Sequence, residues 1–293
     1  MRAGRRFHRT VAGGVAALLC AATLSGCGPD DGTAAAARPS PKPSPTPVWD
    51  RSPASIAAVG DSITRGFDAC QILADCPEVS WSTGTDASVD SLALRLLGPT
   101  GTAARSWNLA RSGARMAELP EQMARAAAER PELVTVMAGA NDACRERPEQ
   151  MTPVADFRAS FAAALARLRA GAPKAQVYVS SVPDLKRLWS TGRTNPMSRQ
   201  IWKLGICGSM LSGAEDTGAA AEARRNRVRE RVVAYNEVLR EVCATDARCR
   251  YDGGAVFGYP FGDEQLSPWD FFHPSKDGQA RLAELAYRQV TRA

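Results

Sequence analysis

The sequence predicts a single α/β domain whose parallel sheet is covered by helices on both faces. Three observations predict it. Short apolar runs of four or five residues alternate along the chain with longer stretches of helical periodicity, the alternation that crossover helices produce between parallel strands. The runs are apolar at successive positions rather than at every second one, as expected of strands buried on both sides. Turn strings rich in Gly, Asn, Asp and Ser follow three of the runs directly, and in such sheets ligands gather at the carboxyl ends of strands.

Taken in order, the chain opens with a basic leader. Arg2, Arg5, Arg6 and Arg9 precede an apolar stretch from Val11 to Leu19, and Leu24-Ser25-Gly26-Cys27 closes it. Such a stretch is too short to span a hydrocarbon core of about 30 Å, so residues 1–26 read as a signal peptide. The closing four residues resemble a bacterial lipobox. In proteins of that kind the cysteine is acylated and becomes the first residue, which makes Cys27 the lipidation site of an exported lipoprotein facing outward from the membrane. The alternative is an ordinary secreted protein cut slightly downstream. Removing the leader leaves 33 basic and 31 acidic residues, so the formal charge falls from +6 to +2. The basic balance is therefore no argument for nucleic acid, and no nucleic-acid partner is expected.

Residues 27–51 carry Ala34 to Ala37 and the run Pro39-Ser40-Pro41-Lys42-Pro43-Ser44-Pro45-Thr46-Pro47. That composition favours extended polyproline II over a packed core and reads as a semi-rigid tether. Residues 52–293 are long enough for one globular domain with a sizeable core. Within it the pattern predicts strands at Ser55–Val59, Ser106–Leu109, Leu133–Met137 and Gln176–Ser180, and helices at Ser88–Leu97, Met116–Ala128, Val154–Ala170, Ala219–Cys243 and Ser275–Val290. The arginine-rich run Arg224 to Arg231 falls inside the fourth helix beside Val228, Val232 and Val233. It reads as a solvated helix face.

Of the eight cysteines, Cys20 leaves with the leader and Cys27 takes lipid, so six remain: an even number for an oxidising compartment. Fifteen pairings are possible. Cys70 with Cys76 and Cys243 with Cys249 are close enough to close small loops, which leaves Cys144 with Cys207 as the inferred long-range bond. A metal site is the competing explanation, but the spacings lack paired C-x-x-C units and no histidine accompanies them.

Once His8 departs with the leader, His273 is the only histidine. Any chemistry that needs an imidazole base must use it. Asp270 lies three residues earlier in Asp270-Phe271-Phe272-His273-Pro274, within reach of the ring. A candidate nucleophile, Ser62, stands in Gly60-Asp61-Ser62-Ile63-Thr64, where the first strand turns toward an expected helix. Backbone N–H groups at such a turn can stabilise an oxyanion; a helix N-cap is the structural alternative. Gly113, in the turn after the second strand, can bring its N–H close to a substrate, or it simply permits a tight turn. Asn141, in Gly139-Ala140-Asn141-Asp142, can donate a side-chain N–H to the same oxyanion, or it caps the next helix.

Together these four strings, in this order, resemble the four blocks of the SGNH (GDSL-type) hydrolases. The resemblance spans residues 56–274 and leaves 183–223 uncovered. It implies a three-layer α/β/α, flavodoxin-like fold and metal-free, cofactor-free ester hydrolysis through an acyl-enzyme. Ser62 would be the nucleophile, His273 the general base and acid, and Asp270 its orienting carboxylate. Ser62 and Gly113, through their N–H groups, and Asn141, through its amide, would form the oxyanion hole. The exported, six-cysteine form looks most like secreted actinobacterial lipases and esterases. A monomer acting on small-molecule, lipid or glycan esters at the cell envelope is expected. Two alternatives stay open: an O-acyltransferase or carbohydrate acetylesterase working on envelope glycans, and a non-catalytic lipoprotein that binds a ligand in the cleft. Trp81, Trp189, Trp202 and Trp269 either line the cleft or pack in the core.

Overall fold

The computed structural model describes residues 48–293; the expected signal peptide, Cys27 and the tether as far as residue 47 lie outside the described residues. Five strands form one parallel sheet: β1 (Ile56–Gly60), β2 (Ser106–Asn108), β3 (Leu133–Met137), β4 (Gln176–Val179) and β5 (Cys249–Tyr251), in the order β2-β1-β3-β4-β5. Every residue of β1, β3 and β4 is buried. Side chains alternate between the two faces of a strand, so both faces are covered, and this is why these strands read as continuous apolar runs. The helices that cover them are α1 (Leu92–Arg105), α2 (Leu119–Glu129), α3 (Ala140–Ala143), α4 (Val154–Gly171), α5 (Leu185–Gly192), α6 (Pro196–Trp202), α7 (Gly208–Leu211), α8 (Ala219–Ala244), α9 (Ala255–Gly258) and α10 (Lys276–Thr291). Among the long ones, α2, α4 and α8 pack side by side, and α1 packs against α10. The result is a three-layer α/β/α arrangement. No helix among the described residues is long and apolar enough to cross a membrane.

Several boundaries differ from the sequence expectation for local reasons. The first expected helix begins four residues late, because Ser91 is its N-cap and accepts the Leu94 N–H at 3.1 Å. It breaks at Gly98 (φ 67°) and resumes through Pro99 to Arg105. Met116–Glu118 forms a 3-10 turn ahead of α2. β5 has no counterpart in the expected strands: three residues, Cys-Arg-Tyr, carry no apolar run, and pairing with β4 alone defines them. The folded unit also begins before residue 52. Trp49 donates its indole N–H to the Val290 carbonyl at 2.8 Å, and the Gln176 amide brackets the Asp50 backbone, accepting its N–H at 2.6 Å and donating to its carbonyl at 2.9 Å.

The arginine run is only partly a solvated face: Arg227 and Glu230 are exposed, but the other arginines are engaged. Arg225 is fully buried, donates to the carbonyls of Met210 (3.2 Å), Asp216 (2.7 Å) and Gly213 (2.7 Å), and lies over the Trp189 ring at 4.0 Å. Arg224 donates to the Ser209 carbonyl, Arg229 to the Asp184 carboxylate and Arg231 to the Thr152 carbonyl. The Arg224 and Arg225 guanidinium groups thereby satisfy carbonyls of the stretch from Ser209 to Asp216 at and after α7. Disulfides join Cys70 to Cys76, Cys144 to Cys207 and Cys243 to Cys249, with Cα separations of 6.1, 4.6 and 5.2 Å. The long-range bond ties α7 to the residue that follows α3.

Candidate active site

Strand order reverses between β1 and β3, since β2 lies to one side of β1 and β3 to the other. A crevice opens at the carboxyl ends of strands where the order reverses. Ser62 stands two residues beyond β1, and Asn141 four residues beyond β3. The chain leaves β1 through Gly60 at φ 144°, where a Cβ would fall 2.0 Å from the Met137 carbonyl oxygen. Only glycine fits there. The Gln122 amide fixes that turn, accepting the Gly60 N–H at 2.7 Å and donating to the Gly60 carbonyl at 2.9 Å. No regular helix follows Ser62: the Arg65 N–H reaches the Asp61 carbonyl and the Phe67 N–H the Ser62 carbonyl in irregular turns. The helix-cap reading of Ser62 therefore falls.

The loop from Phe261 to Ser275 brings the histidine across to this turn. Leu266 and Pro274 form an antiparallel bridge, and the Ser267 N–H donates to the His273 carbonyl at 2.7 Å. His273 Nε2 lies 2.8 Å from Ser62 Oγ, and its Nδ1 lies 2.5 Å from Asp270 Oδ2. An ionised carboxylate only accepts, so Nδ1 carries the hydrogen and Nε2 is left to accept from the Ser62 hydroxyl. The rings of Phe67 and Phe272 stand 5.0 and 5.2 Å from the imidazole and restrict its rotation. Asp270 is held from several sides: its Oδ1 accepts the Phe272 and His273 N–H groups at 2.8 and 2.9 Å, and Trp202 of α6 donates to its carbonyl at 3.0 Å. Burial alone would raise the Asp270 carboxyl, but the hydrogen bond and charge of His273, with those two N–H groups, outweigh it and hold it below the ordinary carboxylate range.

Asn141 does not cap α3, whose N-cap is Gly139. Its amide donates one hydrogen to the Ala114 carbonyl at 3.0 Å, which leaves the second N–H hydrogen for the cleft. Gly113 stands at φ 78° on the turn after β2, with open space where a Cβ would be. Neither its N–H nor that of Ser62 has a protein acceptor among the described residues. Ser62, Asn141 and His273 line one cleft, whereas Gly113 lies outside its lining, beside the residue that Asn141 grips. An arrangement with a hydroxyl on a neutral imidazole, a carboxylate behind it and free N–H donors beside it can perform acyl transfer.

The wall of the cleft is largely apolar, with Leu185 and Leu188 from α5, Tyr259 and Phe261, and Leu266 with Phe272, while Asp184 and Arg187 also line it. It is a slot of about 650 Å³, including its open mouth. Of the four tryptophans considered, Trp81, Trp189 and Trp202 are buried, Trp269 is partly exposed, and none lines this slot.

The model of the GDSL-like lipase/acylhydrolase family matches residues 58–281. The chain belongs to this family. As a member of the GDSL-like lipase/acylhydrolase family it is an ester hydrolase. No curated protein matches the chain in sequence. Among solved structures it is similar to an extracellular lipase from Streptomyces rimosus (19% identity, 80% of this chain and 97% of that one, TM-score 0.42). It is also similar to a family two carbohydrate esterase from Cellvibrio japonicus (14% identity, 84% of this chain and 63% of that one, TM-score 0.46). A third is a salicylyl-acyltransferase from a tetracycline biosynthetic pathway (20% identity, 80% of this chain and 53% of that one, TM-score 0.46).

Sequence reasoning did not find Asp68, the aromatic wall at 259–261, or the state of Asp61. The first two come from loops with no periodic pattern. Asp61 is 1% exposed; its Oδ1 accepts the Ile63 N–H at 3.0 Å, and its Oδ2 has no partner. Burial pushes its carboxyl up to about 7, against the opposing pull of the Ile63 N–H and His273, with the Asp142 charge adding to the rise.

Proposed function

We propose that the protein is a serine carboxylic-ester hydrolase that forms an acyl-enzyme on Ser62 and accepts an apolar acyl group in the slot beside it. The Ser62 hydroxyl, hydrogen-bonded to His273 at 2.8 Å with Asp270 at 2.5 Å behind it, carries this reading. Ser62 Oγ attacks the ester carbonyl carbon as its proton passes to His273 Nε2. The Ser62 and Gly113 N–H groups and the Asn141 amide stabilise the oxyanion. The bond to the alcohol breaks, and His273 returns the proton to the departing oxygen. Water then attacks the acyl-serine while His273 takes its proton, and Ser62 is restored. Asp270 stays ionised and holds the ring in its reactive tautomer. Replacing Ser62 with Ala should abolish hydrolysis of a p-nitrophenyl ester and block fluorophosphonate labelling. Labelling that persists in the variant refutes the nucleophile.

The apolar wall of Leu185, Leu188, Tyr259, Phe261, Leu266 and Phe272 supports an alkyl acyl group over a polar one. We further propose that the enzyme acts as a monomer on the outer face of a membrane, held there by lipid on Cys27 after residues 1–26 are removed. The leader, the Leu24-Ser25-Gly26-Cys27 string and six cysteines joined in pairs support this reading. A mass shift of the mature N-terminal cysteine, abolished by Cys27→Ala, is expected. An unmodified, fully soluble product overturns it.

A further inference from the structure

Asp68 lies six residues beyond Ser62 and is 2% exposed. Its backbone takes the left-handed conformation (φ 56°) that side-chain-bearing residues seldom adopt, and several contacts hold it there. The Asp68 N–H donates to the Ala74 carbonyl at 3.0 Å, its carboxylate Oδ1 accepts the Leu73 N–H, and the Cys70–Cys76 disulfide closes the same loop. Its carbonyl accepts the Ser267 hydroxyl at 2.7 Å. Ser267 belongs to the loop that carries Asp270 and His273, so the contact joins the two halves of the site.

A carboxylate oxygen of Asp68, one of Asp270 and a ring nitrogen of His273 lie within 4.8 Å of one another. Both carboxyl groups are buried, and neither makes an ion pair with Lys or Arg among the described residues. The charged groups facing Asp68 are Asp270 and His273 from the C-terminal loop; on its own loop Arg65 is engaged by Asp75 at 3.0 Å. Two buried carboxylates so close raise each other's proton affinity, and a single imidazole offsets the charge of only one. The oxygens of Asp270 already accept two backbone N–H groups and the imidazole, whereas Asp68 has one backbone donor, on Oδ1.

We propose that Asp68 is a positioning residue that keeps its proton and hydrogen-bonds through it to the Asp270 carboxylate, extending the hydrogen-bonded chain to Asp68–Asp270–His273–Ser62. The inference rests on the reading of the last three as the catalytic triad. Electrostatics run the same way: burial, followed by the charge of Asp270, raises the Asp68 carboxyl, and His273 keeps Asp270 low. A neutral donor in this place pins Asp270 without adding a second charge next to the imidazole.

The test is the pH profile of kcat/KM for a p-nitrophenyl ester in the full-length protein and its Asp68→Asn and Asp68→Ala variants. Asparagine can keep its Oδ1 on the Leu73 N–H and turn its amide N–H toward Asp270, reproducing the protonated acid. D68N should stay within about threefold of wild type, with an acidic limb unmoved to within roughly 0.3 pH unit, because no charge has been removed. D68A should lose about tenfold or more in kcat with little change in KM, since a merely misoriented base is felt in turnover. An acidic limb displaced downward by half a unit or more in D68N, by the same linkage of charge to proton affinity, means that Asp68 was ionised and overturns the proposal. Full activity in a folded D68A also overturns it. Where D68A does not fold, the limb position in D68N decides. Fluorophosphonate labelling of wild type at Ser62 keeps the two readings apart: absence of labelling defeats the triad itself, whereas labelling with an indifferent D68A defeats Asp68 alone.

Discussion

Replacing Asp61 with Asn removes an ionisable group from the turn that carries the nucleophile. Asp61 is buried, its Oδ2 has no partner, and its carboxyl moves from the ordinary 3.8 to about 7. At about 1.4 kcal/mol per pH unit, ionising this side chain costs the folded state about 4 kcal/mol. The sign follows from proton linkage. Between pH 3.8 and about 7 the folded protein holds a proton on Asp61 that the unfolded chain has released, so this contribution to stability is complete below pH 3.8 and is lost as pH rises through about 7. The substituted asparagine cannot ionise. At low pH D61N should be equal to wild type or less stable, because its amide N–H groups replace an oxygen that has no partner, at a cost of about 1–3 kcal/mol. The free-energy difference between variant and wild type should then move in favour of D61N by up to about 4 kcal/mol between pH 4 and pH 8. Urea titrations at half-unit intervals of pH, with the disulfides intact, measure it. Parallel stability curves for the two proteins refute the reasoning and assign Asp61 an ordinary carboxyl in a wet environment.

Two further outcomes follow from the same geometry. Asn141→Ala should lower kcat by about 100- to 1,000-fold in a p-nitrophenyl ester assay, since it removes one oxyanion donor, while fluorophosphonate labelling still reaches Ser62; an unaffected kcat assigns the Asn141 amide to the Ala114 carbonyl alone. Opening the Cys144–Cys207 bond with paired alanine substitutions frees a loop 63 residues long, which on loop-closure entropy costs about 4 kcal/mol. The urea midpoint should fall accordingly, and an unchanged midpoint would mean that the unfolded chain is already constrained there.

The fold class and the residues of the candidate site were legible in sequence because both follow local patterns. β1, β3 and β4 are buried on both faces, so their residues must be apolar in succession, and that is visible without coordinates. Ser62, Asn141 and the Asp270–His273 pair occupy turns at strand ends or a short local spacing, which neighbouring residues announce. β5 was not legible, because Cys249-Arg250-Tyr251 becomes a strand only by lying against β4. The burial of Arg225 is hidden for a similar reason: a guanidinium group in a helix looks solvated until a separate segment, Met210 to Asp216, supplies the carbonyls that bury it.

By itself the sequence determined which groups could perform the chemistry and the order of four strands and the long helices along the chain. It could not determine distances between groups far apart in that order. Tertiary structure alone decided that His273 comes within 2.8 Å of Ser62 across 211 positions of chain. It also decided that Asp68 falls beside Asp270, and that residues 185–188 and 259–272 close one apolar slot. The physical reason is that periodicity and turn chemistry act over a few residues, whereas burial, proton sharing and cavity shape depend on which segments the whole fold packs together.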